Sequence, residues 1–345
     1  MTSHAANGII RCQFDMNSTI LSVKNLSVEF RTRAGVNYAV NDVSFELKRG
    51  ETLGIVGESG SGKSVTCSAL MGLLPSPPAY IAPEAKAEFE GRDLLRMKSR
   101  ELAALRGNRI SMIFQDPMTS LNPCMTIGDQ VAEPLIIHRG MKRREALELA
   151  IEELARTGIP NPAERAKAYP HEFSGGMRQR VMIAMALITR PQFLIADEPT
   201  TALDVTVQKQ VLDLLRARQE ELGTAIILIT HDLGVVRQYA HRIQVMYAGS
   251  IVESAPAEEL LHSPLHAYTR SLMASIPGMH SKGSRLQTIP GLPPTLRRPI
   301  SGCAFRPRNI LGNPELCLTD SVPPMVEISP GHFVRNCPGC LSKNI

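Results

Sequence analysis

The segment Gly57-Glu58-Ser59-Gly60-Ser61-Gly62-Lys63-Ser64 constrains this chain more than any other stretch. It follows the apolar run Thr52–Val56 and leads into a helical pattern from Lys63 to about Leu73. The segment fits the pattern G-x-x-x-x-G-K-[ST], in which backbone N–H groups cradle phosphate. Glycines allow those groups to turn inward, and the following helix adds its positive N-terminal end. In such a loop the lysine reaches the β- and γ-phosphates and the hydroxyl binds Mg²⁺, roles that fall here on Lys63 and Ser64. A bare match can arise by chance. The strand before the loop and the helix after it make nucleotide binding the expectation.

A second apolar run, Phe193 to Ala196, ends in Asp197 and Glu198. Two acids at a strand end can simply be solvated. Behind a phosphate loop, Asp197 becomes a candidate to hold Mg²⁺ through water, and Glu198 a candidate to polarise an attacking water. Ser174-Gly175-Gly176-Met177-Arg178-Gln179 opens a helix running to about Leu187, a second N-terminus able to hold phosphate. Serine and glycine are common helix starters, so the position of this segment, just ahead of the acidic strand, gives it its weight. Gln115 follows an apolar strand, Asp204 lies just beyond the carboxylates, and His231 follows the strand ending at Thr230. A lone histidine after a strand is more often structural than catalytic.

The runs Thr52–Val56, Phe193 to Ala196 and Ala225–Thr230 suit parallel strands covered on both faces. Residues 20–49 alternate with period two, as antiparallel strands do. Helical patterns lie between, at Arg143–Arg156 and Val205–Leu222. This alternation argues for an α/β core. After about Arg270 the periodicity fades, and residues 271–345 hold eleven of the 25 prolines. The same 75 positions carry eight basic and three acidic side chains, which accounts for the whole net charge of +5. No run reaches the ~20 apolar residues of a membrane span; the longest, Val181 to Thr189, is closed by Arg190 and Pro191. The first 19 residues lack the apolar stretch of a secretory signal, so a cytoplasmic chain is expected. Seven cysteines in a reducing compartment are not a disulfide framework, and four of them fall in the last 43 residues.

In this order the motifs resemble the ATP-binding cassette (ABC) family over about residues 20–270. The resemblance implies a P-loop NTPase core sheet, an antiparallel β subdomain and an inserted α-helical subdomain, with a loop-rich extension over 271–345 and a flexible N-terminus over 1–19. Gly57 to Ser64 look like the Walker A loop, Gln115 like the Q-loop glutamine and Ser174 to Gln179 like the signature motif. Asp197 and Glu198 look like Walker B and the catalytic glutamate, Asp204 like the D-loop aspartate and His231 like the switch histidine. Ser64, Gln115 and Asp197 are thereby the expected Mg²⁺ residues. Phe30 best fits the aromatic that stacks on adenine. Tyr38 is the alternative, because the connection Arg31 to Asn37 reads as a long loop. Glu198 and His231 are both present, which argues against a cassette that binds ATP without turnover. The intervals leave no room for the coiled coils of DNA-repair members, and no nucleic acid is expected.

Finer resemblance, carried by Gln115 to Pro123, Tyr169 to Met177, His266 to Arg270 and Pro290 to Pro294, points to the dipeptide/oligopeptide/nickel importers, most like the first ATPase of a dipeptide permease. It implies a second ATPase subunit in a head-to-tail pair, two transmembrane permease subunits, a periplasmic or extracellular solute-binding protein, and a peripheral place on the cytoplasmic face of the membrane. Nickel or another small solute stays open as cargo. Family members of this type carry four C-terminal cysteines able to hold an iron–sulfur cluster. Cys303, Cys317 and Cys337 match that set, Asn309 stands where the family's second cysteine is expected, and Cys340 is the candidate to supply the fourth thiolate from a new place. A [4Fe–4S] cluster, zinc, or leftover thiols are the readings of this tail.

Overall fold

The computed structural model describes residues 18–201, 203–275 and 288–341. Cys12, Lys282, Arg285 and Lys343 lie outside them, as does nearly all of the N-terminal segment. The chain opens with a long hairpin of β1 (Thr19–Thr32) and β2 (Gly35–Lys48), followed by β3 (Thr52–Val56). Short strands β4 (Ala79–Ile81), β5 (Lys86–Phe89) and β6 (Arg92–Asp93) come next. Then come β7 (Ile110–Ile113), β8 (Phe193–Asp197), β9 (Ala225–Thr230), β10 (Arg242–Tyr247) and β11 (Ser250–Pro256). The last two are β12 (Met325–Ser329) and β13 (His332–Arg335).

Two sheets result. An antiparallel sheet runs β2-β1-β5-β6, with β4 also on β1. The larger sheet runs β12-β13-β11-β10-β3-β9-β8-β7, and its middle strands β10, β3, β9, β8 and β7 are parallel. Every residue of β3, β8 and β9 is buried, because apolar faces cover both sides. The antiparallel sheet packs its inner face, with Leu21, Phe45 and Phe89, on Phe193, Ile195 and Ile227. On the other side the helices Ile127–Arg139, Arg143–Arg156, Gly175–Leu187 and Val205–Leu222 form a second core.

The elements read from periodicity fall where expected, with two differences. The helix after the phosphate loop ends at Leu70 rather than near Leu73. The supposed long loop Arg31 to Asn37 is a tight turn at Arg33 and Ala34, because both strands of the hairpin continue through the polar residues on either side.

Residues 288–341 pack on the sheet they follow. β13 pairs with β11 and extends the sheet by two antiparallel strands. Phe305 sits edge-on to Tyr247 and Tyr268 at ring separations of 5.4 and 5.3 Å. His332 is fully enclosed, one nitrogen 2.8 Å from Glu253 and the other 3.0 Å from Glu259. Burial lowers its pKa, and the two carboxylates outweigh that and raise it.

Candidate functional site

A cavity of about 640 Å³ opens beside the phosphate loop. Ser59, Gly60, Gly62, Lys63, Ser64 and Val65 form its floor, with Gln115 and Glu198 at one side and Phe30, Thr32 and Gly35 to Asn37 at another. Gly57 and Gly62 are required as glycines. Both have positive φ, and a Cβ would meet the Met246 carbonyl oxygen at 2.1 Å and that of Ala39 at 2.5 Å. The loop therefore turns against backbone that no side chain could approach.

Lys63 is held over the loop, its Nζ donating to the carbonyls of Gly57 (2.8 Å) and Glu58 (2.9 Å). Burial lowers its pKa, while Glu198, Asp197 and Glu58 work to keep the charge. Ser64 Oγ donates to Asp197 Oδ1 at 2.9 Å, so the two oxygens expected to share a cation already adjoin. Burial raises the Asp197 pKa, and the Ser64 bond opposes it. The two carboxylates point differently because β8 ends between them. Asp197 is its last residue, and Glu198 turns the chain with φ +46°. A non-glycine residue in the left-handed region carries strain that clusters at functional sites. The turn gathers Gln115 Nε2 (3.1 Å), Thr201 Oγ1 (2.9 Å) and His231 Nδ1 (3.4 Å) around Glu198 Oε2. Thr201 escaped the sequence reading. Its signal was its place three residues after Glu198, one turn on.

The β1–β2 register separates the two aromatic candidates. Phe30 pairs with Asn37 and Tyr38 with Glu29, so alternation sends Phe30 and Tyr38 to opposite faces. Phe30 lines the cavity, whereas Tyr38 lines a different depression with Glu29, Arg31 and Tyr80. The expectation for Tyr38 is corrected accordingly.

Ser174, Gly175, Gly176 and Asp204 are absent from the cavity wall. Ser174 caps its helix by accepting from Met177 N–H, and Asp204 caps the next one by accepting from Thr206 and Val207. Ser174 and Gly175 are exposed. Gln179 is 1% exposed and faces the helical core, so it presents nothing at the surface, a second correction. Residues Pro294 to Arg297 form the outer wall of the cavity, and Leu296 C=O accepts from Tyr38 N–H at 2.8 Å. Nothing in the sequence gave them a role beyond the prolines ahead of them.

The sulfurs of Cys303, Cys317, Cys337 and Cys340 all lie within 4.8 Å of one another. Asn309 stays in the cluster as a donor, its Nδ2 3.6 Å from both Cys317 and Cys340 Sγ. Bonds from Cys303 and Cys340 hold the Cys337 thiol far below its usual range, while Cys303 is pushed up to about 12. The donor set fits one thiophilic ion. A tetrahedral site with ~2.3 Å metal–sulfur bonds has sulfurs about 3.8 Å apart, and the Cys303–Cys340 and Cys317–Cys340 pairs stand at 3.4 and 3.7 Å. An iron–sulfur cluster is bulkier and needs the thiolates further apart.

Comparison with known proteins decides the family. The ABC transporter family matches residues 40–201, and a second family, the oligopeptide/dipeptide transporter C-terminal region, matches residues 252–317. A dipeptide transport ATP-binding protein of Lactococcus lactis is 51% identical over 92% of this chain and 90% of its own length. The chain belongs to the ABC transporter family. An oligopeptide transport ATP-binding protein of Salmonella typhimurium is also 51% identical, over 93% of each chain. A dimeric ATP-binding cassette solved in a post-hydrolysis state with ADP and Pi is 30% identical, with a TM-score of 0.61 over 69% of this chain and 98% of its own. As an ABC ATPase this chain uses ATP and Mg²⁺. Among the described residues no helix is long and apolar enough to cross a membrane.

Proposed function

We propose that this chain energises peptide uptake as one ATPase of a membrane import complex. The observation that carries the reading is a complete hydrolytic set at one cavity: Lys63 and Ser64 line its phosphate end, with Asp197 bonded to Ser64, and Gln115 and Glu198 line its water end, with Thr201 and His231 against Glu198. Residues 20–270 are then the ATP-binding domain and 271–345 an extension characteristic of peptide importers. The relatives named for dipeptide and oligopeptide transport support the cargo.

Phe30 stacks on adenine, and Lys63 and the loop N–H groups hold the phosphates. Ser64, Gln115 and Asp197 take Mg²⁺, which neutralises charge developing on the phosphates. Glu198 accepts the proton of the attacking water, oriented by Gln115 and His231. The Ser174-Gly175-Gly176 helix start, exposed at Ser174 and Gly175, meets the ATP of a second cassette, because no residue of it reaches the cavity of its own chain. An apolar groove of about 260 Å³ beside Gln115, lined by Leu73, Met112, Phe114, Pro134 and Met185 among others, suits a short helix of a permease subunit. A solute-binding protein delivers cargo from the far side, and the chain sits peripherally on the cytoplasmic face of the membrane.

The test is uptake by the complex reconstituted in vesicles with its permease and binding protein. ATP turnover stimulated by dipeptides or longer peptides, with peptide accumulating inside, is the expected result. Stimulation by Ni²⁺ alone would overturn the cargo, and no stimulation by any solute would overturn the transport role.

Two further expectations arise here. Phe30→Ala should weaken ATP binding by about tenfold, in line with the ~1–3 kcal/mol of base–aromatic stacking. Tyr38→Ala should change it less than twofold. Equal effects in a nucleotide titration would refute the facial assignment. For the thiol site, protein purified without added metal should carry about one zinc per chain by elemental analysis, and Cys340→Ser should lose it. A brown protein with several irons per chain would instead identify the cluster.

A further inference from the structure

The extension touches the nucleotide site through a second contact, separate from the thiols. Arg308 closes the turn Arg306–Arg308, and only 6% of its side chain is exposed. Its guanidinium grips Glu58 at two points, Nη1 to Oε2 at 2.6 Å and Nη2 to Oε1 at 2.9 Å. Its other donors reach the carbonyls of Pro290 (2.8 Å) and Gly291 (3.3 Å) and the hydroxyl of Tyr247 (3.4 Å). Glu58 is the second residue of the phosphate loop. Its N–H donates to the Tyr268 hydroxyl at 3.0 Å, and its C=O accepts from Lys63. Pro290 and Gly291 lead to Pro294 to Arg297, the outer wall of the cavity.

We propose that Arg308 is a positioning residue for ATP: through Glu58 it fixes the phosphate loop, and through Pro290 and Gly291 it fixes the wall facing that loop. Three features support this. All the donors of Arg308 face protein groups, so it acts on nucleotide only through what it holds. A loop with positive φ at Gly57, Gly60 and Gly62 has many conformations open to it, and ordering it on binding costs affinity. A planar fork on a carboxylate removes that freedom in a way a lysine cannot. Arg308 also neutralises Glu58, a carboxylate on the very loop that must receive a polyanion. Without Arg308, that charge would oppose the phosphates. A bolt that merely fastened the extension would show no such charge dependence.

The inference rests on ATP occupying the phosphate-loop cavity. Its test is titration of the full chain with Mg²⁺ and a non-hydrolysable ATP analogue, with kcat and KM measured on the reconstituted complex. Arg308→Met should raise Kd and KM by about tenfold or more, as expected for losing a two-point charged pair, with kcat within about threefold. Arg308→Lys should fall between wild type and Arg308→Met. Adding Glu58→Gln to Arg308→Met should restore much of the lost affinity, because the unpaired charge is gone. An unchanged Kd in Arg308→Met, no recovery in the double variant, or a fall in kcat at constant KM would each overturn the proposal. Should Arg308→Met not fold, Arg308→Lys against Arg308→Lys with Glu58→Gln carries the same comparison. Failure of the wild type itself to bind the analogue would instead defeat the nucleotide reading beneath it.

Discussion

Glu198→Gln should lower steady-state ATP turnover by about 10²–10⁴-fold, the range a positioned general base contributes, while ATP still binds. The replacement keeps the size of the side chain and an oxygen that can accept from Thr201 Oγ1, now 2.9 Å away. What it removes is the ability to take a proton from water. The strained φ of +46° belongs to the turn and not to the carboxylate, so the backbone and its hydrogen bond from Glu198 N–H to Ile229 C=O at 3.0 Å should persist. Bound ATP that is not cleaved should then hold two cassettes closed, visible as a larger species by light scattering only when ATP is present. Turnover within about threefold of wild type would remove Glu198 from the chemistry. Transport persisting in the variant would separate cargo movement from hydrolysis.

The second large effect is expected at Lys63. Lys63→Met should reduce ATP affinity by about 100-fold or more, because hydrogen bonds to charged groups contribute about 1.5–3 kcal/mol each and every 1.4 kcal/mol is tenfold. Two losses combine. The phosphates lose their cation, and Asp197 and Glu198 lose the positive charge that offsets them. The carbonyls of Gly57 and Glu58 are also left without the Nζ that joins them at 2.8 and 2.9 Å, so the loop itself loosens. Without nucleotide, the unfolding temperature should move by only a few degrees, since β3 and the helix Lys63–Leu70 keep their packing. Affinity within threefold of wild type would place the phosphates elsewhere.

Apart from Thr201, the hydrolytic residues were legible in the sequence because each sits at a strand end or helix start, where motif and element coincide. Gly57 to Ser64 follow β3, and Asp197 and Glu198 end β8. Gln115 and His231 follow β7 and β9, which flank β8. Parallel strands bring such ends to one edge of a sheet. Phe30 and Tyr38 could not be ranked in the same way. The choice turns on a pairing register, and a slip of one residue exchanges the faces of a strand. Gln179 misled for a related reason: the signature helix starts at the surface, but its second turn already faces the helical core.

The sequence by itself determined the α/β class, the phosphate loop, the acidic strand end and the clustering of cysteines near the C-terminus. Local pattern suffices there, since apolar periodicity and glycine placement act over a few residues. Only the tertiary structure decided that residues 325–335 extend the main sheet, that Asn309 shares a cluster with Cys340, that Pro294 to Arg297 wall the nucleotide cavity, and that Arg308 grips Glu58 from 250 residues away. These contacts join segments with weak local pattern of their own. What holds them is burial of Phe305 against Tyr247 and Tyr268, and of an arginine whose charge needs a partner once water is excluded. No property of either segment alone encodes that pairing.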